Sequence, residues 1–109
     1  FYGPIKAAFS ITPTVMPERM RLYANYPNPF NPGTTIQFDL AKEEPVKLEI
    51  YDAMGKKIRT LVDLVFPAGS HQQSWDGRDD SGKVIANGAY FCRLQTSAEI
   101  QIQKMMHLK

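Results

Sequence analysis

Between Thr34 and Leu40 the chain reads TTIQFDL, with Ile36, Phe38 and Leu40 at every second position and Thr35, Gln37 and Asp39 between them. PVKLEIYD repeats the pattern, with Val46, Leu48 and Ile50 on one side. Successive strand residues point to opposite faces of a sheet, so a period of two rather than 3.6 predicts half-buried β-strands. KKIRTLV, AYFCRLQT and EIQIQKMMHL predict three more, and a polar-rich strand runs from the Pro-Ala-Gly corner to Trp75. In the last segment Ile100, Ile102, Met106 and Leu108 share one parity and are expected to face the core. Lys104 falls in that same row, where its stem would pack and its ammonium would reach the edge. The connections carry turn chemistry: Asp52 and Gly55 for a tight hairpin, then Asp-Gly, Ser-Gly and Asn-Gly pairs in DGRDDSGKVIANG. No stretch has a helical period.

Short strands separated by Gly/Pro/Asn turns predict an all-β, immunoglobulin-like antiparallel β-sandwich of about seven strands. GAYFC sharpens this, because Tyr90 stands two residues before Cys92 at the start of a late strand. Immunoglobulin-like sandwiches carry a tyrosine corner there, with the hydroxyl bonded back to backbone. Only Cys92 is present, so there is no internal disulfide, and its parity with Tyr90 and Leu94 predicts a small core residue. Trp75 is the largest apolar group and is expected in the core with Tyr90.

Residues 1–21 hold three prolines and no sustained period. They read as a linker or the end of a preceding domain, with a short strand expected in KAAFSIT; residues 22–109 form the folded unit. Near its start, YPNPFNP places Pro27, Pro29 and Pro32 within six residues. Each proline fixes its own φ, and Tyr26, Asn28 and Asn31 before them are pushed towards extended conformations. The expectation is a stiff, straight strap formed by Tyr26, Pro27, Asn28, Pro29, Phe30, Asn31 and Pro32. Tyr26 and Phe30 would clasp the sandwich while asparagine amides cap exposed backbone. The rival reading is a rigid peptide that a receptor contacts directly; PFNP fits the spacing of polyproline ligands but lacks a basic anchor.

Composition narrows the function. Thirteen basic and 11 acidic residues give a formal charge of +2, too balanced to point to nucleic acid or to an anionic membrane. No apolar run approaches the ~18 residues of a membrane-spanning helix, so no direct membrane insertion is expected. The chain starts at Phe1 without a leader, which reads as the C-terminal piece of a larger exported protein. Asp76, Asp79 and Asp80 are the candidates for a metal, but Arg78, Ser81 and Asn87 stand where a calcium-binding loop of the EF-hand type needs an oxygen ligand, a glycine and an acid. Asx turns account for the cluster, with a single Ca²⁺ as the alternative. No catalytic constellation and no cofactor site are read. Tyr51 and Phe91 lie on outward parities, where aromatic rings bind sugars or form part of a second core face.

LYANYPNPFNPGTTIQFDL, VKLEIYDAMGKKIRTLV, AGSHQQSWDGRDDSGKVIANGAYFCRL and KMMHLK, in this order, resemble the C-terminal sorting domain (type A) of type IX secretion cargo, a relative of the Ig-like domain of flagellar hook-capping proteins. The resemblance implies a non-catalytic module that directs a larger secreted protein across the outer membrane of a Gram-negative bacterium, through the periplasm to the cell surface. Its implied partners are the outer-membrane secretion machinery, a surface processing protease and an N-terminal cargo domain of the same chain. The family's Gly-x-Tyr motif falls on Gly88 and Tyr90, and its basic terminal motif on Lys104 and Lys109. Two alternatives stand beside it: a passive Ig-like structural module attached to a secreted enzyme, and a carbohydrate-binding module.

Overall fold

The computed structural model describes residues 17–109, and the strand expected in KAAFSIT lies outside them. The described residues form seven strands: β1 Arg21–Leu22, β2 Thr34–Leu40, β3 Glu44–Asp52, β4 Lys57–Phe66, β5 Gly69–Trp75, β6 Gly88–Gln95 and β7 Ile100–His107. They build a three-stranded antiparallel sheet in the order β1-β2-β5 and a four-stranded one in the order β4-β3-β6-β7. This is the two-layer sandwich that alternating patterns require, because each sheet must bury its apolar face against the other. The chain changes sheets at the Pro67-Ala68 corner between β4 and β5.

The inward rows are those of the sequence pattern for β2, β3 and β6. Ile36, Phe38 and Leu40 face Val46, Leu48, Ile50, Tyr90, Cys92 and Leu94, all buried. The strand β4 lacks clean alternation for a local reason. Its register with β3 slips between Leu48 and Glu49 and again between Ile50 and Tyr51, which leaves Leu61 and Ile58 as extra residues. Such bulges re-aim side chains, and here both pack against the core.

Trp75 is 1% exposed, and its indole N–H donates to the Arg78 carbonyl at 2.9 Å, so the ring is buried without orphaning its polar atom. The Tyr90 hydroxyl donates to the Ala86 carbonyl at 2.8 Å, forming the backward bond expected of a tyrosine corner. Burial of Tyr90, and after it the nearby Asp52 charge, hold its phenol above the ordinary range. Cys92 is fully buried, and burial pushes its thiol up to about 12.

Candidate recognition surface

The proline segment is bent, not straight. It turns at residues 27–29 and again at 31–32, and the Tyr26-Pro27, Asn28-Pro29 and Asn31-Pro32 bonds are all cis. The Asn25 amide and the Thr34 hydroxyl both donate to the Pro27 carbonyl, folding the segment onto the start of β2. Tyr26 and Thr35 exchange two backbone hydrogen bonds, but the Tyr26 side chain is 80% exposed. The expected pair of clasping aromatics is therefore one. Phe30 alone is buried, with its ring 5.3 Å from Trp75 and 5.1 Å from His107. Neighbouring residues explain the split, because Phe30 lies over the open end between the sheets whereas Tyr26 pairs beside β2 on the solvent side.

From Phe30 the segment crosses to the last strand. The Phe30 N–H donates to the Met106 carbonyl at 2.9 Å, and the Leu108 N–H donates to the Phe30 carbonyl at 3.2 Å. Between them, the Asn28 Oδ1 accepts from the Met106 N–H at 2.9 Å. The strap thus ties β2 of one sheet to the edge of β7 in the other, and an asparagine side chain completes the bonding of an edge strand. Its far end needs a glycine: Gly77 has φ 75°, and a Cβ there would run into the Pro32 carbonyl oxygen.

On β7 the structure reverses the expected orientation. Met105 and His107 are buried, whereas Ile100, Ile102 and Leu108 are roughly half exposed, Lys104 is exposed and Met106 is intermediate. Pairing with β6 sets this parity: inward-facing Tyr90, Cys92 and Leu94 stand opposite Met105, Gln103 and Gln101. The polar Gln101 is accepted inward because it closes the seam to β1, accepting from the Leu22 N–H at 2.7 Å and donating to the Met20 carbonyl at 3.1 Å. His107 is accepted because its Nδ1 bonds the Ala86 carbonyl at 3.2 Å. Its burial went unread in the sequence, although its shared parity with Met105 carries the signal. Lys104 consequently needs no snorkelling; it stands on the outer face.

The two motif pairs meet on one ladder. Gly88 pairs with His107, Tyr90 with Met105, and Phe91 with Lys104, while the Lys109 N–H donates to Asn87 Oδ1 at 3.1 Å. The side chains nevertheless divide. Tyr90 points into the core, Gly88 shapes the strand start at φ 144°, and Lys104 and Lys109 are exposed. A partner touching the folded domain meets the lysines and not the tyrosine.

Tyr51 and Phe91 are paired across β3 and β6 on the outer face of the four-stranded sheet, not in a second core face. Arg93 lies beside them, its guanidinium carbon 5.9 Å from the Tyr51 ring centre and its Nη1 3.4 Å from the buried Glu49 carboxylate. The aspartates of the loop are bonded to their own backbone and to β4. Asp79 Oδ1 accepts from the Ser81 and Lys83 N–H groups and the Ser81 hydroxyl. These bonds, the Ser81 hydroxyl foremost, hold the Asp79 carboxyl below its ordinary range. Asp76 accepts from the Arg78 N–H and Arg59, and Asp80 from the Thr60 N–H. Among the described residues no three acidic, histidine or cysteine side chains gather as a metal site.

Sheet order, the tyrosine corner and the buried tryptophan define an immunoglobulin-like β-sandwich. The chain belongs to the FlgD Ig-like domain family, whose model matches residues 27–99, well over half its length. Among solved structures it is similar to FlgD from P. aeruginosa, at 26% identity and a TM-score of 0.57, covering 68% of this chain and 60% of that one. Dimeric latent PorU from Porphyromonas gingivalis shares the fold at 19% identity and a TM-score of 0.62, over 90% of this chain and 10% of that one. PorZ from the same organism, described as an essential bacterial surface component of the type-IX secretion system, does so at 21% identity and a TM-score of 0.54, over 81% and 11%. The chain thus spans less than two thirds of the FlgD chain and about a tenth of the other two. No curated protein sequence matches it.

Proposed function

We propose that residues 20–109 are a non-catalytic sorting and anchoring module, which directs a larger secreted protein across the outer membrane to the cell surface by type IX secretion. The observation that carries the reading is the ladder of β6 and β7. It brings the Gly88–Tyr90 segment beside the strand bearing Lys104. Lys104 is exposed on that strand and Lys109 just past its end, with the strap hydrogen-bonded to the strand at Met106. The fold shared with a surface component of that secretion system supports it. In this reading Tyr90 and Gly88 keep the last strand in shape, and Lys104 and Lys109 meet the outer-membrane machinery. A surface protease and an N-terminal cargo domain complete the partners. Met20 is buried in the core and Arg21 opens β1, so the folded unit starts at Met20 and the residues before it act as the linker to that cargo.

The test is a reporter carrying an N-terminal export signal, with the whole 109-residue chain fused behind it. It should reach the surface of a host that has type IX secretion and remain periplasmic in the same host without it. Periplasmic retention in both would leave the passive Ig-like module as the reading.

A further inference from the structure

The outer face of the four-stranded sheet holds a shallow depression of about 440 Å³ that the sorting reading does not use. Tyr51 and Phe91 lie along it, Arg93 and Ile102 flank it, and Ala53 in the β3–β4 hairpin forms one end. It continues into exposed apolar surface, since Ile102 is 59% and Ile100 48% exposed. Apolar side chains of this size, left open beside a concavity, mark a surface where something docks.

The charges around it specify what. Glu49 lies buried on this face and is met by two cations, Arg93 at 3.4 Å and Lys57 at 3.5 Å. Lys104, across the ladder from Phe91, makes no ion pair among the described residues. The other acid at the rim, Asp52, has its Oδ1 occupied by the Met54 and Lys56 N–H groups. The depression is apolar within, and around it stand three cations, Arg93, Lys57 and Lys104, against two carboxylates, Glu49 and Asp52, which leaves a net positive charge. A second copy docked through the same face would bring together two patches of the same net positive charge, which opposes association. A membrane is met by projecting apolar side chains, whereas Tyr51 and Phe91 are half-buried along a concave floor. We infer that this face docks an extended protein segment in which apolar side chains alternate with carboxylates. The apolar side chains fill the depression, and the carboxylates meet Lys104, which has no ion pair among the described residues. An extended segment suits the site because its side chains alternate, presenting one row to the floor and another to the rim.

The probe is a capped synthetic octapeptide alternating Leu and Glu, with a Leu/Lys peptide as its counterpart. Each is titrated into the ¹⁵N-labelled 109-residue chain while amide shifts are followed by NMR. The Leu/Glu peptide should move the amides of Tyr51, Phe91, Arg93 and Ile102, the Leu/Lys peptide should not, and Ile102→Glu should weaken binding at least tenfold. Ile102 is exposed, so that variant keeps the fold; unchanged shifts at Trp75 and Cys92 would verify it. Absent shifts, equal shifts with both peptides, or shifts elsewhere would overturn the inference. So would co-sedimentation with phosphatidylglycerol vesicles that Ile102→Glu abolishes, which would assign the face to a membrane. A dimer in sedimentation equilibrium that the same change dissociates would assign it to a second copy.

Discussion

Tyr90 and Cys92 show how far a single side chain decides local structure here. The Tyr90 hydroxyl and His107 Nδ1 share the Ala86 carbonyl, so removing the hydroxyl does not orphan that acceptor. Tyr90→Phe should therefore cost about 1 kcal/mol, the net worth of one hydrogen bond, read as a lower urea midpoint with an unchanged slope. Cys92 gives a pH dependence. Its folded-state pKa is raised from 9.0 to about 12, so its contribution is fully present below pH 9 and is lost as pH climbs towards about 12. Wild-type stability should fall more steeply across that window than that of Cys92→Ala. At neutral pH a thiol reagent should label Cys92 only as fast as the chain unfolds; rapid labelling would place the thiol at the surface.

At the scale of elements, the strap and the last strand separate what the sequence made legible from what it did not. Period two identified β2, β3 and β6 and their inward rows correctly, because each has a neighbouring strand on both edges and keeps its apolar residues at every second position of the inward row. The same rule inverted β7. Ile100 and Ile102 look like core residues, but β7 is the edge strand of its sheet, where polar Gln101 finds backbone partners at the seam. Hydropathy alone cannot distinguish an apolar row facing the core from one facing a docking surface; only the register with β6 does. In the strap, the proline count announced stiffness but not direction, because the bends depend on tertiary partners such as Thr34 and Met106. Phe30→Ala should cost about 3–5 kcal/mol, as expected for removing a fully buried aromatic ring. Tyr26→Ala should stay within about 0.5 kcal/mol of wild type, as exposed positions do. Equal losses in thermal unfolding would restore the two-aromatic clasp.

For the whole molecule, the sandwich places its motif residues on two opposite sides of one ladder. The tyrosine corner, Trp75 and Phe30 lie inside, where they hold β6, β7 and the strap together. Lys104 and Lys109 lie outside, exposed to solvent on the folded domain. Changing both lysines to Gln should therefore leave the thermal midpoint nearly unmoved, since exposed charges contribute no more than about 1 kcal/mol. The most direct measurement is the surface fraction of a reporter fused to the 109-residue chain in a type IX host, compared between wild type and Lys104→Gln/Lys109→Gln. The account predicts a surface-located wild type and a largely periplasmic double variant of equal stability. A double variant exported as well as wild type would contradict it.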